Sequence, residues 1–182
     1  TILETLKNLQ KEGKIRAFGI SVRHPNDSLV AIGKLDIKSI QVNFNMIDQR
    51  ALENGLFELA QNKNAGIIVR TPLNFGFLSG KLMNATFSPR DHRSVWSQSQ
   101  LKKWAEAPHL FSFLFKGQLT PVQAALNFCL SFKAVSVVIP GMLTVAEVEE
   151  NAASSVATRF TKEELAQARK VYDENEFFEK NS

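Results

Sequence analysis

The chain opens on apolar residues at helical spacing. Ile2, Leu3, Leu6 and Leu9 share one face and Glu12-Gly13 closes the run, which predicts a helix. "KIRAFGIS" (14–21) then carries Ile15, Ala17 and a nearly continuous Phe18 to Ile20. A run apolar on both faces is what a parallel sheet covered by helices demands, so a strand is predicted. "PNDSLVAIGKL" reads as a short helix starting near Pro25, and "SIQVNFN" as the next strand. "QRALENGLFELAQNKNAG" predicts one helix with Leu52, Leu56, Leu59 and Ala60 on a face, and "GIIVR" a third strand. A long loop follows, "TPLNFGFLSGKLMNATFSPRDHRS", leading to a helical stretch in "SQSQLKKWAEAPHLFSFLF". "TPVQAALNFCLSF" is a marked helix with Thr120 as cap and Pro121 at its first position. "AVSVVI" is the fourth strand, and "TVAEVEENAASS" and "TKEELAQARKVYDEN" are helices after it.

A helix and then four rounds of strand followed by helix predict an α/β fold with a parallel sheet. Four such units make half of an eight-stranded (β/α) barrel or a small open doubly wound sheet. The first strand-to-helix turn, "GISVRHPN", lacks the G-x-G-x-x-G of the open dinucleotide-binding fold, which favours the half-barrel. In either fold, function collects at the C-terminal ends of the strands. Those ends hold Ser21, then Gln41 and Asn43, then Arg70 and Thr71, then Pro140 and Gly141. Each is polar or conformationally special beside an apolar run. The helix after Gly141 begins at Thr144, and its free N–H groups and positive dipole end suit an anion. Thr144 and Glu147 also spell a T-x-x-E capping box, which explains both residues structurally.

Composition narrows the classes. With 182 residues, 44% hydrophobic and 22% charged, the chain fits one ordinary domain or part of a larger one. The net charge of +4 is scattered, with only Lys102-Lys103 as a cluster, so no stripe for nucleic acid forms. No stretch approaches the ~18 apolar residues of a membrane span. The N-terminus lacks the basic and apolar blocks of a secretory signal. The lone Cys129, in an apolar run, reads as a buried small hydrophobe in a reducing, cytoplasmic setting. His24, His92 and His109 have no metal-site spacing, so no metal is expected. The sole tyrosine, Tyr172, sits in the final amphipathic helix, where packing or exposure is expected.

Four segments, "GKIRAFGIS", "IQVNFNMIDQR", "IIVRTPLNFGFLSGK" and "VIPGMLTVAEVEEN", resemble successive strand-and-loop motifs of aldo-keto reductases. The similarity runs in order over nearly the whole chain. It implies a (β/α)8 barrel that binds NADPH or NADH at its C-terminal mouth and exchanges hydride with a carbonyl or alcohol. On this resemblance Ser21 and Gln41 match the pair that bonds the nicotinamide carboxamide. Arg70 stands where many members stack an aromatic ring on the nicotinamide. Thr71, Leu73 and Lys81 match the loop along the pyrophosphate, and Arg93 the arginine that clasps the phosphates from a lid. Glu150 and Asn151 match the adenine-binding pair. Many members carry basic residues at the positions of Gly141 and Glu147 to hold the 2′-phosphate of NADP; neither is basic here, which keeps NAD open beside NADP.

The family's general acid is a tyrosine assisted by lysine, aspartate and histidine, all from the first half of the barrel. The resemblance therefore places residues 1–182 as a single partial domain, the second half of the barrel, with no catalytic residue of its own. The chain also opens inside a helical pattern, as if cut from something longer. It is expected not to reduce carbonyls alone, and to pair with an N-terminal half or self-associate through its open edge strands. A non-catalytic dinucleotide-binding or regulatory module stays open as an alternative, as does a phosphate-binding barrel of unrelated chemistry.

Overall fold

Helices and strands alternate in the computed structural model, which describes residues 1–179. The order is α1 (Ile2–Lys11), β1 (Ile20–Ser21), α2 (Pro25–Gly33), β2 (Ser39–Asn43), α3 (Arg50–Glu53), α4 (Leu56–Asn62) and β3 (Gly66–Arg70). Then come α5 (Gln98–Leu110), α6 (Pro121–Leu130), β4 (Val135–Ile139), α7 (Val145–Ala153) and α8 (Lys162–Asp173), with short 3-10 turns in the intervening loops. The strands form one parallel sheet in the order β1-β2-β3-β4, as an α/β half-barrel requires.

Helix starts follow local chemistry. Capping boxes at Thr1/Glu4, Thr120/Gln123, Thr144/Glu147 and Thr161/Glu164 open α1, α6, α7 and α8. In each, a threonine hydroxyl and a Glu or Gln side chain satisfy backbone N–H groups that the first turn leaves free.

Alternate residues of the strands divide the sheet into two faces. Ile40, Val42 and Phe44 on one segment and Ile67 and Val69 on β3 are fully buried beneath the helices. There Phe44 meets Phe57, Phe128 and Phe132 at ring-centroid distances of 4.7, 5.5 and 5.1 Å. Cys129 lies in the same layer, and burial pushes its thiol pKa up, consistent with an inert packing residue. The opposite face carries Ser39, Gln41 and Asn43 on β2 and is not apolar, contrary to a strand buried on both sides.

Two elements differ from their predicted extent. The first strand is only Ile20–Ser21, because β1 pairs with β2 alone and its other edge has no partner among the described residues. Gly19 lets it approach: a Cβ there would lie 2.5 Å from the Ser39 carbonyl oxygen. The helix predicted across 49–66 is broken into α3 and α4, since Gly55 takes a left-handed φ of 78° that ends one helix and starts the next.

On the far side, α5 is tied to the C-terminal segment. Trp104 Nε1 and Gln100 Nε2 both donate to the Phe177 carbonyl, at 2.9 and 2.7 Å, and Gln100 Oε1 accepts from Glu179 N at 2.8 Å. No helix of the described residues is long and apolar enough to cross a membrane.

Candidate functional site

The C-terminal ends of the four strands lie side by side, because the ladder is parallel and in near-continuous register. Ser21 pairs with Gln41, Asn43 with Arg70, and Arg70 with Ile139. Gln41 Nε2 donates to Ser21 Oγ at 3.1 Å. This leaves the serine proton and the Gln41 carbonyl oxygen as a donor–acceptor pair at the strand ends. Arg70 donates from Nη2 to the Val22 carbonyl at 3.1 Å, while its buried Nε has no partner. It makes no ion pair among the described residues.

After β3 the backbone is strained. Thr71, Asn74 and Phe75 have φ of 53°, 44° and 58°, and Gly76 follows at 94°. A β-branched residue in the left-handed region costs about 1–2 kcal/mol, and such strain persists only where the surroundings over-determine it. Here they do. Asn45 Nδ2 donates to the Thr71 carbonyl at 2.9 Å, and the Thr71 hydroxyl lies 2.7 Å from both Asn43 Oδ1 and the Arg70 carbonyl. Asn74 is buried with its Nδ2 unpartnered.

This turn and the segment after β4 enclose two adjoining clefts. The larger, ≈ 550 Å³, is lined by Thr71, Leu73, Arg93, Gly141 and Glu147 among others. The smaller, ≈ 230 Å³, shares Leu73, Arg93, Gly141 and Glu147 and adds Lys81, Glu150 and Asn151. Eight of the eleven candidate residues therefore line one continuous depression. Ser21, Gln41 and Arg70 line neither cleft and stand at the strand ends beside it.

Charge in the depression is largely paired. Asp91 holds Arg93 through two bonds, from Nε at 3.0 Å and Nη2 at 2.7 Å, while Nη1 donates to the Phe75 carbonyl at 3.3 Å. The guanidinium also lies over the Phe87 ring, 4.4 Å from its centroid. Arg93's side chain and then its backbone N–H lower the Asp91 pKa to about 2. Lys81 Nζ is 3.6 Å from Glu150. Glu147 Oε2 accepts from the backbone N–H of Leu143 at 2.7 Å and Thr144 at 3.0 Å, which holds its carboxyl below the ordinary range. Asn151 Nδ2 reaches the Gly141 carbonyl at 3.5 Å. A Cβ at Gly141 would meet nothing within 4 Å, so the fold itself does not require glycine there.

Asn45, Asn74 and Asp91 were not singled out from the sequence. The first two act through backbone conformation across the turn, and Asp91 acts on Arg93 two residues on. The last had a signal: an acid and an arginine together in "RDHRS". Tyr172 lines neither cleft; it is half-buried on α8, its hydroxyl 3.5 Å from Glu53, and burial followed by that carboxylate pushes its pKa up to about 12. His92 and His109 are exposed. Among the described residues no group of three or more His, Cys, Asp or Glu could hold a metal ion.

A four-stranded parallel sheet flanked by helices, with a depression at the C-terminal ends of its strands, defines half of a (β/α)8 barrel, and sequence comparison specifies the family. The chain matches the Aldo/keto reductase family over residues 1–173 and belongs to that family. It is 26% identical over 163 residues to the uncharacterized oxidoreductase YqkF of Bacillus subtilis, covering 90% of this chain and 52% of that protein. It is 29% identical over 162 residues to the NADH-specific methylglyoxal reductase of Escherichia coli, covering 82% of this chain and 46% of that one. Among solved structures, the aldo-keto reductase AKR11C1 of Bacillus halodurans in its holo form superposes with a TM-score of 0.70 at 26% identity, over 93% of this chain and 54% of that chain. The glycerol dehydrogenase AKR11B4 of Gluconobacter oxydans shares the fold with a TM-score of 0.80 at 22% identity, over 97% and 55%. The chain spans about half the length of the curated relatives it matches.

Proposed function

We propose that this chain forms the dinucleotide-binding part of an NAD(P)-dependent oxidoreductase that moves hydride between a nicotinamide and a carbonyl or alcohol. The observation that carries the reading is the convergence of Thr71, Leu73, Lys81, Arg93, Gly141, Glu147, Glu150 and Asn151 on one depression at the strand ends. The residues present suit such a group. A carboxamide offers one carbonyl acceptor and two N–H donors, and Ser21 O–H with Gln41 Oε1 is the complementary pair. The orphan Arg70 Nε beside them is a further donor in want of a partner. Lys81 and Arg93 supply the positive groups for a pyrophosphate. When bound, a reduced nicotinamide supplies the hydride.

Reduction also needs a proton donor within hydrogen-bond reach of the carbonyl oxygen. Neither cleft is lined by a tyrosine, and Tyr172 is held as a neutral phenol against Glu53. In this reading the donor comes from a second four-stranded unit that closes the barrel against β1 and β4, and the chain alone binds cofactor without turnover. The buried thiol of Cys129 suits a reducing, cytoplasmic setting.

Gly141 offers a test that does not disturb the fold, because it lines both clefts and has open space around its Cα. Gly141→Leu is expected to keep the wild-type Tm and to lose at least about tenfold in affinity for NADH by calorimetric titration, about 1.4 kcal/mol. Unchanged NADH affinity in a normally folded variant would reject the site.

A further inference from the structure

Arg70 is the only charged residue in the four strands. Among the described residues it has no carboxylate partner. Its one side-chain hydrogen bond runs from Nη2 to the Val22 carbonyl at 3.1 Å, and its buried Nε has no partner. A guanidinium does not shed its proton in a protein, so this charge is permanent.

That single bond fixes where the charge sits. From β3 the side chain reaches across β2 to the residue that follows Ser21, where Val22 N donates to the Gln41 carbonyl at 3.0 Å. The guanidinium therefore ends beside the Ser21–Gln41 pair. Its partners in register, Asn43 and Ile139, are neutral, and so are Gln41, Ile68 and Val137 one step back on the same face. Glu147 and Glu150 line the adjoining clefts, which Arg70 does not.

Oxidised and reduced NAD share every group except the nicotinamide ring, which carries a formal positive charge when oxidised and none when reduced. The rest of the molecule contributes equally to both, so the difference in their affinities reports the field at the ring alone. A carboxamide held by Ser21 and Gln41 brings that ring up to the guanidinium. Like charges repel more strongly in a half-buried site than in water, and no carboxylate of the strands offsets them.

We infer that Arg70 sets the redox preference of this site, favouring the reduced dinucleotide over the oxidised one. The inference rests on the dinucleotide-binding reading of the same site. A tenfold preference of this kind raises the potential of the bound two-electron couple by about 30 mV.

The test is calorimetric titration of the full chain with NADH and with NAD⁺ at one ionic strength, in the wild type, Arg70→Met and Arg70→Lys. Wild type is expected to bind NADH at least about tenfold more tightly. Arg70→Met, which removes the charge, is expected to bring the two affinities close together, chiefly by gaining NAD⁺ affinity. Arg70→Lys, which keeps the charge, is expected to retain most of the ratio. Equal wild-type affinities, or a preference for NAD⁺, overturn the inference whether or not the variants fold, and leave the dinucleotide site standing. A ratio unmoved in folded Arg70→Met, or lost in folded Arg70→Lys, removes the Arg70 charge as its cause. Failure of the wild type to bind either form rejects the site and this inference with it.

Discussion

The covered and open faces of the sheet are built from alternate residues of the same strands, yet they obey different rules. Beneath the helices, Ile40, Val42, Phe44, Ile67 and Val69 are fully buried in the hydrophobic core. At the open face and its mouth, Gln41, Asn43, Arg70 and Thr71 are half-exposed and polar, the backbone runs through left-handed conformations, and donors on Arg70 and Asn74 lack partners. Stability is concentrated on one side and chemical potential on the other. A strained turn with orphan donors is tolerable because the aromatic layer behind it supplies a surplus.

The largest effect that tests this contrast is a core truncation set against an edge change. Phe44→Ala removes the ring that meets Phe57, Phe128 and Phe132, and should cost about 3–5 kcal/mol in chemical denaturation. Val137→Ser, on the open edge strand where Val137 is 42% exposed, should cost far less and should lower the mass seen by light scattering. Equal losses for the two would erase the distinction between covered sheet and open edge. If light scattering shows the wild type as a stable monomer, self-association through these edges is wrong.

Asn45→Ala sits on the boundary between the regions. Asn45 is buried, donates to the Thr71 carbonyl at 2.9 Å and accepts from Ile47 N at 2.9 Å. Its loss leaves the buried Ile47 N–H unpaired, at about 1–3 kcal/mol, and takes from the Thr71 carbonyl one of its two donors, the other being Asn74 N at 3.0 Å. Because Thr71 φ is held by that contact, dinucleotide affinity should fall with stability. Destabilisation with unaltered binding would detach the turn from the site.

The smallest effect belongs to Asp91, which is partly exposed at the rim of the depression. Its pKa is depressed in the folded chain, from 3.8 to about 2. The stability it contributes is therefore fully present above the unfolded value near 4 and is lost as pH falls through about 2. The difference in Tm between wild type and Asp91→Asn should shrink on going from pH 5 to pH 2. A difference that is constant over that range would mean the Arg93 contact does not persist in solution.

Much of this was legible beforehand. Capping boxes such as Thr120/Gln123 announce a helix from four residues, and β2, β3 and β4 fall where short apolar runs stand. The split at Gly55 was written in the Asn54-Gly55 dipeptide, but the apolar spacing of Leu52, Leu56 and Leu59 runs straight across it and masks the break. The short β1 was not readable, since apolar character says nothing about whether a second neighbour is there to pair. Candidate residues at strand ends were legible because a parallel sheet puts its ends together. Asn45 and Asn74 were not, because each depends on a backbone turn; the Thr144/Glu147 capping box was legible, but not the second bond that Glu147 takes from Leu143 N.

Sheet order equals chain order, so on a ribosome each strand meets its neighbour as it emerges, at about 5–20 residues per second. The tie between α5 and the C-terminal segment breaks that progression. Trp104 and Gln100 both spend their side-chain donors on the Phe177 carbonyl, more than seventy residues further on. Until that carbonyl leaves the exit tunnel, α5 has an indole and an amide to satisfy with water and cannot seat in its final place. The Phe177 carbonyl therefore acts as a clasp: the sheet assembles by accretion, and the flank that carries the Arg93 loop locks only after that residue has emerged.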